Sequence, residues 1–501
     1  MNVFKIFKKN KMNILMIASE CVPFVKVGGL ADVISALAKY LKKLGHDVRI
    51  IIPKYRSIDG KKYNFQPLPY MLRVNVGKEM EKFRIKRGMT EDGIDVYFIE
   101  NMRYFNRPGI YGDNGIDYGD NRERYIFFCR AALEAAKALI FRPDIIHCHD
   151  WQTGLIPAYL KTNLRNDGFF WNTSSVYTIH NIAYQGNFGA DTVVAGGFSW
   201  EDFTTDKLEF YNNVNFMKCG IAMADAVSTV SPTYASEIKE FNGRGMEIVL
   251  NSRPDRIYGI LNGIDYDYWN TKTDKYITAN YSKDDLVGKK MCKIELQKIC
   301  GFDVDEEAYL FGCVSRLDDQ KGFDIIIDAL YSLRNKQMQF VILGSGNQTI
   351  KWHLQDAVAK MPKTVAAFFD YDEPLAHKIY SGCDAYMMPS RFEPCGLSQM
   401  ISLAYGTIPI VNRTGGLSDT IVYYNHFTKK GNGFMFNITY GENFIQTILK
   451  SENIFRDKSN WDILVQNAMN CDFSWDKSVG QYHLMYEETR NKKRHELLFK
   501  A

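Results

Sequence analysis

Short apolar segments rich in β-branched residues alternate with amphipathic segments along almost the whole chain. In the first half, residues 144–151, 174–181 and 225–232 each run from an apolar stretch into polar residues. Such alternation favours α/β architecture built on parallel sheets. Parallel strands deliver the side chains at their carboxyl ends to a common crevice, so the polar residues that follow these segments are candidates for a functional site.

The length of the chain indicates more than one core. At 501 residues it is too long for one ordinary domain. A second series of strand-like segments begins near residue 258 and includes residues 308–316, 339–346 and 407–412. We therefore predict two doubly wound, Rossmann-like domains, with a boundary near residues 254–259 and a ligand-binding cleft between them.

Composition and charge argue against several classes of protein. The formal net charge is +4, from 62 basic and 58 acidic residues, which gives no reason to expect nucleic acid or a membrane surface as a partner. Ten cysteines are scattered without a C-x-x-C pair, as is typical of reduced thiols. The sequence shows neither a signal peptide nor an apolar run of about 18 residues. We therefore expect a cytoplasmic protein.

The stretch "KVGGL", residues 26–30, lies between a strand-like segment and an amphipathic helix. Apolar residues recur every three or four positions over residues 30–44, which is the period of a helix with one buried face. Backbone N–H groups at a strand-to-helix turn, together with the helix dipole, favour an anion. Because Lys26 stands beside Gly28 and Gly29, the turn predicts binding of a phosphate.

Three more turns of this kind occur in the second half of the chain. "SRLDDQKG" holds Arg316 and Lys321, "PSRFEPCGLSQM" holds Glu393, and "NRTGGLSDT" adds a glycine pair. The residues at the start of the helix after Glu393 are Gly396, Leu397 and Ser398. Arginine can hold two phosphate oxygens at once, and lysine adds a point charge. The four turns together predict a cage for a diphosphate.

A metal held by an Asp-x-Asp motif is the alternative way to neutralise a diphosphate. Such pairs occur at residues 265 and 267, 303 and 305, and 370 and 372, but chance matches to so short a pattern are common. "HCH", residues 147–149, offers two histidines, yet no further Cys/His cluster completes a set of four zinc ligands. Fixed cations are therefore preferred over a metal.

Taken together, these motifs resemble those of bacterial glycogen synthases and plant starch synthases. The matching pieces, in family order from about residue 13 to residue 486, are "KVGGLADV", "NRPGIYG", "DYGDNRERY", "HCHDW", "TIHNIAYQG", "LNGID", "SRLDDQKG", "SRFEPCGLSQM", "YGTIPIV", "TGGLSDT" and "FSWDKS". The resemblance implies a glycosyltransferase-B fold of two doubly wound domains. On this basis we expect a first domain over residues 1–257, joined by a C-terminal helix over 476–501, and a nucleotide-sugar-binding domain over 258–475.

The same resemblance implies a retaining glucosyltransferase that uses neither metal nor cofactor. It would move glucose from ADP-glucose to the non-reducing end of an α-1,4-glucan. Because the departing diphosphate gains negative charge, Arg316 and Lys321 are expected to hold it, with Lys26 adding a further positive charge.

The resemblance also assigns residues to the reacting sugar and to the nucleotide. Glu393 would lie near the 3-hydroxyl of the donor glucose, His180 near its 6-hydroxyl, and Asp150 toward the acceptor. Asn262 in "LNGID" would lie near the donor. Tyr371 is a candidate to stack on the adenine ring.

Cys395 and a loop complete the candidate site. Cys395 is expected to pack beside the donor rather than act as a nucleophile, since no base is evident nearby. Residues 100–124, rich in Gly, Asn, Asp and Tyr, are predicted to form a long functional loop. Its Tyr111 and Tyr118 would form the side that binds the acceptor glucan.

Three other functions stay open at this stage. A related two-domain glycosyltransferase could use UDP-glucose or another acceptor, and a homologue without activity could bind glucan only. A glucan phosphorylase would need a lysine that carries pyridoxal phosphate, for which the sequence has no motif. Two positions depart from the family pattern: Val27 stands where threonine is frequent, and Asn412 where arginine is usual.

Overall fold

The computed structural model describes residues 11–113, 115–253, 255, 257–370, 372–438 and 443–499. The chain divides into two compact units. The first unit is Met1–Ile260 together with Trp475–Ala501, and the second is Leu261–Ser474.

The strands, in chain order, are β1 (Asn13–Ile17), β2 (Asp47–Pro53), β3 (Gln66–Val76), β4 (Glu79–Met89), β5 (Asp95–Glu100), β6 (Gly112–Asp113), β7 (Ile116–Asp117), β8 (Ile145–His149), β9 (Ser174–Ile179), β10 (Asn187–Gly189), β11 (Glu209–Phe210), β12 (Asn213–Asn215), β13 (Ala226–Thr229), β14 (Tyr258–Gly259), β15 (Tyr309–Val314), β16 (Met338–Leu343), β17 (Val365–Phe368), β18 (Ala385–Met388), β19 (Ile408–Asn412) and β20 (Phe434–Phe436).

The α-helices are α1 (Gly29–Lys43), α2 (Met102–Phe105), α3 (Asn121–Ala138), α4 (Leu155–Lys161), α5 (Thr192–Gly196), α6 (Phe216–Met223), α7 (Pro232–Glu240), α8 (Glu247–Asn251), α9 (Val287–Ile299), α10 (Phe323–Ser332), α11 (Gln348–Lys360), α12 (Glu373–Gly382), α13 (Ser398–Ala404), α14 (Gly415–Thr420), α15 (Phe444–Arg456), α16 (Lys458–Met469) and α17 (Trp475–Leu498).

The first unit is built on a nine-stranded sheet in the order β14-β13-β9-β8-β1-β2-β5-β4-β3. Strands from β14 to β5 run parallel, as the alternation of segments predicts. The chain first moves from β1 toward β2 and later returns to β8 on the other side of β1. The strand order therefore reverses between β1 and β8, and in doubly wound sheets ligands bind at the carboxyl ends beside such a reversal.

The antiparallel edge of this sheet departs from the prediction of parallel sheets. β3 pairs with β4 and β4 with β5 in antiparallel fashion. Only Gly77 and Lys78 separate β3 from β4, and so short a connection is compatible only with an antiparallel pair. Gly77 takes φ +56°, which suits a hairpin turn. The two strands are largely exposed: β3 is mostly apolar in composition but contains two prolines, and β4 mixes charged with apolar residues. Neither strand therefore has the buried apolar run that marked the other strands.

The second unit contains a six-stranded parallel sheet in the order β17-β16-β15-β18-β19-β20. Strands β15 and β19 lie within the predicted segments 308–316 and 407–412, and β16 begins one residue before the predicted segment 339–346. Buried apolar residues from strands and flanking helices, such as Leu296, Leu310, Val341 and Ile379, form its core. The strand order reverses between β15 and β18, so the carboxyl ends of these two strands are the expected site.

The predicted loop over residues 100–124 is more ordered than expected. It contains the short helix α2 and the β6–β7 pair, and its last residues already belong to α3. The buried guanidinium of Arg124 explains the order, because it donates to the carbonyls of Tyr104 and Ile110, both at 2.9 Å, and to the Asn121 side chain at 2.6 Å.

The C-terminal helix α17 packs within the first unit. Its Trp475 lies 6.5 Å from the Tyr40 ring, between centroids, and its Tyr486 hydroxyl lies 2.8 Å from Nδ1 of His147. The sequence placed a C-terminal helix over residues 476–501, and α17 spans Trp475–Leu498. Across the described part of the chain, no helix combines the length and apolar character needed to cross a membrane.

Candidate active site

The "KVGGL" turn follows β1 at the point where the strand order reverses. The backbone N–H groups of Val27 and Gly28 both donate to the carboxylate of Glu20, the latter at 3.1 Å. In this structure an internal carboxylate accepts these two N–H groups, and the binding of a phosphate at the turn stays a prediction. Gly28 takes an extended conformation and precedes α1, which begins at Gly29.

Glu20 is the functional candidate that sequence reasoning missed. Only 3% of its surface is exposed, and burial raises its pKa above the usual range. The Tyr111 hydroxyl donates to the same carboxylate and lies 2.8 Å from the Ser19 hydroxyl. Glu20 follows β1 after Ala18 and Ser19, so the expectation that polar residues after parallel strands belong to a site applies to it as well. It ties the turn to the loop that carries Tyr111.

Lys26 and Tyr118 already have partners within the protein. The Lys26 ammonium lies 2.8 Å from the Asp32 carboxylate, and both side chains are more than a third exposed. The Tyr118 hydroxyl accepts the N–H of Gly109 at 3.1 Å. Guanidinium groups of two arginines, at positions 107 and 124, lie 4.9 and 4.8 Å from the Tyr118 ring centre. Tyr118 therefore contributes to the packing of the loop, and its role in binding the acceptor stays a prediction.

Asp150 stands at the end of β8 in a strained backbone conformation. Its φ is +56° and its ψ −178°, a region that residues other than glycine rarely adopt. Its carboxylate accepts the N–H of His180 at 2.7 Å and that of Asn181 at 3.4 Å. Burial raises the pKa of Asp150 to about 7, and the two N–H groups only partly offset this effect. The strain aims the carboxylate at the loop that carries His180.

Three histidines cluster at the ends of β8 and β9. His149 Nδ1 lies 3.0 Å from His180 Nε2, and the rings of His147 and His149 are 3.9 Å apart between centroids. His147 is held within the unit by a further contact, because its Nε2 lies 2.6 Å from the Thr178 hydroxyl. Burial lowers the pKa of His180 to about 3 and the pKa values of the other two well below the usual range. All three rings are therefore neutral near pH 7.

In the second unit, Lys321 and Glu393 form an ion pair beside the reversal of strand order. The Lys321 ammonium lies 2.6 Å from Oε2 of Glu393, and the Ser390 hydroxyl donates to the same oxygen at 3.0 Å. The side chains are 16% and 7% exposed, respectively. Lys321 follows β15 and Glu393 follows β18, so the two strand ends meet in one hydrogen-bonded group, to which Ser390 adds a contact not expected from the sequence.

The glycine pair of "NRTGGLSDT" allows two backbone segments to approach closely. A Cβ atom on Gly415 would come within 2.0 Å of the Glu393 carbonyl oxygen, and one on Gly416 within 2.1 Å of the Cys395 carbonyl oxygen. Asn412, the departure from the family pattern, donates to the Ser390 carbonyl at 2.9 Å. These contacts hold the turn that carries Glu393 in place.

The other predicted donor-binding residues of the second unit lie on neighbouring segments. Asn262 and Cys395 are buried and in contact, and burial raises the pKa of the thiol to about 12. Asn262 Oδ1 is enclosed without a hydrogen-bond partner among the described residues. Gly396 adopts φ +72°, Leu397 precedes α13, and Ser398 begins it. Arg316 is exposed on the loop after β15, and Tyr371 lies outside the described residues.

At least one aspartate of each Asp-x-Asp pair has a partner within the protein. Asp303 lies 3.0 Å from the Lys363 ammonium, Asp372 accepts the N–H of Leu375 at the start of α12, and Asp265 accepts the N–H of Asp267. Within the described ranges, no group of three or more His, Cys, Asp or Glu side chains is arranged to hold a metal ion.

Each unit thus gathers charged and polar groups at the place where its strand order reverses. The first unit offers the buried carboxylate of Glu20 and the partly exposed carboxylate of Asp150, beside neutral imidazoles. The second offers the Lys321 ammonium beside the Glu393 carboxylate and the nearby start of α13. Cations and helix-start N–H groups can stabilise a departing phosphate, whereas a carboxylate favours positive charge on a sugar ring.

Comparison with known proteins agrees with this arrangement. The family model described as "Starch synthase catalytic domain" matches residues 13–252, and the model described as "Glycosyl transferases group 1" matches residues 301–453. The two matched regions contain β1–β13 and β15–β20, respectively, and thus both sites.

Relatives match over nearly the full length of the chain. Glycogen synthase 2 of Geobacter metallireducens is 41% identical over 96% of this chain and the whole of that protein. A glycogen synthase of Elusimicrobium minutum is 43% identical with the same coverage. The catalytic domain of starch synthase IV from Arabidopsis thaliana, solved with ADP and acarbose, is 34% identical to this chain. The match covers 96% of this chain and the whole of the Arabidopsis chain, with a TM-score of 0.89. The chain belongs to the glycogen and starch synthase family of glucosyltransferases, with a glycosyltransferase-B fold.

Proposed function

We propose that this protein elongates an α-1,4-glucan by moving glucose from ADP-glucose to the non-reducing end, with retention of configuration. The observation that carries the proposal is the Lys321–Glu393 pair, which holds an ammonium and a carboxylate 2.6 Å apart at the strand ends of the second unit. Breaking the bond between glucose and diphosphate needs a positive group for the diphosphate and a negative group near the sugar. The Arabidopsis relative solved with ADP supports an adenine nucleotide.

The second unit would bind the donor. Arg316 and Lys321 would hold the diphosphate, with the helix start at Gly396, Leu397 and Ser398 adding N–H groups. Glu393 would contact the 3-hydroxyl of glucose. Asn262, Tyr371 and Cys395 would line the nucleotide-sugar site, and the Asn262 Oδ1 that lacks a partner among the described residues suits a hydroxyl donor of the ligand.

The first unit would serve the sugar and the acceptor. His180 would meet the 6-hydroxyl of the donor glucose, and Asp150 would face the acceptor. Lys26, with the turn at Gly28 and Gly29, would add positive charge for the donor. The surface ion pair of Lys26 with Asp32 is worth roughly 0–1 kcal/mol, so it competes weakly with a diphosphate. Tyr111 would contribute to the acceptor side through the group it forms with Glu20.

We place the protein in the cytoplasm. All ten cysteines lie in the described part of the chain, and each is a free thiol. Free thiols in this number are typical of a reducing compartment.

The direct test incubates purified protein with a maltooligosaccharide primer and either ADP-glucose or UDP-glucose, each labelled in the glucose. Label should enter polymer from ADP-glucose with the higher kcat/KM. A preference for UDP-glucose would show that the proposed donor is wrong, while the assignment to the family would stand. No incorporation from either donor, in protein that is folded and binds glucan, would indicate a binding protein and refute the proposal.

A further inference from the structure

The contact between His149 and His180 couples a wholly buried ring to a ring at the proposed reaction site. His149 is 0% exposed, while His180 is partly exposed at the end of β9. The two rings share one hydrogen bond of 3.0 Å, between His149 Nδ1 and His180 Nε2. The opposite nitrogen of His149, Nε2, is enclosed and has no hydrogen-bond partner among the described residues.

Only two proton arrangements fit this contact, because a neutral imidazole carries one N–H and one lone pair. In the first, Nδ1–H of His149 donates to His180, and the enclosed Nε2 of His149 is a bare lone pair. In the second, His180 donates from Nε2, and the proton of His149 must sit on its enclosed Nε2. That second arrangement buries an N–H donor without an acceptor, which is rarer in proteins than a buried acceptor without a donor.

We infer that His149 is a positioning residue that fixes the tautomer of His180, so that His180 carries its proton on Nδ1 and offers that N–H to an oxygen of the donor sugar. With Nε2 held by His149, Nδ1 is the ring nitrogen that is left for substrate. The inference rests on the proposed function, in which His180 meets the 6-hydroxyl of glucose. His149 would then contribute to selecting donors with an oxygen at C6.

Donor kinetics test the inference with a pair of substrates. ADP-glucose and ADP-6-deoxyglucose differ only in the 6-hydroxyl, and one ordinary hydrogen bond corresponds to a preference of roughly 2- to 10-fold in kcat/KM. His149→Phe keeps a flat ring but cannot donate to His180. It should reduce kcat/KM for ADP-glucose and leave the 6-deoxy donor nearly unchanged, so the preference falls toward one.

Two further variants distinguish a wrong role for His149 from a wrong contact between His180 and the 6-hydroxyl. His149→Gln retains an N–H that can donate to His180 and should recover part of the preference. His180→Ala should abolish the preference if the proposed contact with the 6-hydroxyl exists. If His180→Ala leaves the preference intact, that contact is wrong. If His180→Ala abolishes the preference but His149→Phe does not, the inference about His149 is overturned. It is also overturned if His149→Phe lowers kcat/KM equally for both donors.

A spectroscopic measurement tests the tautomer without altering the buried pair. Protein labelled with 15N-histidine gives side-chain resonances whose shifts distinguish a protonated from a bare ring nitrogen, and His180→Ala identifies the resonances of His180. We expect a protonated Nδ1 and a bare Nε2 in the wild-type enzyme. The reverse assignment for His180 would overturn the inference even if His149→Phe failed to fold.

Discussion

Replacing Glu393 by glutamine tests whether its negative charge drives glucosyl transfer. In the wild-type protein the Lys321 ammonium lies 2.6 Å from the Glu393 carboxylate. The glutamine amide keeps the shape of the side chain and can still accept a hydrogen bond from Lys321, but it carries no negative charge to balance the ammonium. Both side chains are mostly buried, so the lost charge-assisted bond should destabilise the second unit by about 1–3 kcal/mol. If the carboxylate favours positive charge on the sugar in the transition state, turnover should fall by ~100-fold, about 2.7 kcal/mol.

Steady-state incorporation of labelled glucose, at saturating glucan and varied ADP-glucose, separates binding from turnover. A fall in kcat with little change in KM indicates an interaction made in the transition state. Turnover within a few-fold of the wild type would refute the role of Glu393.

The double variant Lys321→Met with Glu393→Gln supplies the control for stability. It removes both charges, so no ammonium is left without its counter-ion, and the melting temperature should recover relative to Glu393→Gln alone. Activity should remain low, because the charges needed at the sugar and the diphosphate are both gone. Recovery of activity together with stability would show that Glu393→Gln acted only by unfolding the site.

Three other variants or treatments have defined outcomes. Lys26→Ala should raise the KM for ADP-glucose by roughly 10- to 150-fold, as expected for a charged contact worth ~1.5–3 kcal/mol, and an unchanged KM and kcat would remove Lys26 from the donor site. Burial raises the pKa of Asp150 from 3.8 to about 7, so the stability it contributes is present at low pH and is lost as the pH rises through 7. The melting temperature of Asp150→Asn minus that of the wild type should therefore be higher at pH 8 than at pH 5. A difference that does not change with pH would contradict the effect of burial on Asp150. Turnover should survive excess chelator if Arg316 and Lys321 neutralise the diphosphate, whereas loss that Mg²⁺ or Mn²⁺ restores would show a metal requirement.

Strand ends were the part of the structure that the sequence predicted well. Parallel strands bring their carboxyl ends to one edge, so polar residues that follow apolar runs had to lie near each other within each sheet. This reasoning marked the segments that end near Asp150 and His180 and the turns that hold Lys321 and Glu393, whereas the family resemblance supplied their expected roles. The structure brings Asp150 near His180 and Lys321 near Glu393.

Other features depend on contacts that no short motif records. The N–H groups of Val27 and Gly28 in "KVGGL" donate to Glu20, a residue several positions upstream, and the motif alone gives no sign of this contact. The β3–β4 hairpin was not predicted, because β3 contains two prolines and β4 mixes charged with apolar residues, and neither pattern is typical of a buried strand. The pairing of His149 with His180 joins residues on neighbouring strands, and only their three-dimensional arrangement reveals which nitrogen is enclosed.

The most direct measurement of the central claim follows the growth of single glucan chains. A maltooligosaccharide tagged at its reducing end is incubated with the enzyme and ADP-glucose labelled with 13C at the anomeric carbon, and the products are examined by chromatography and NMR. The account predicts a ladder of products that differ by one glucose, with the label in α-1,4 linkages at the end opposite the tag. Labelled β-linkages, growth at another position, or release of free glucose without elongation would contradict it.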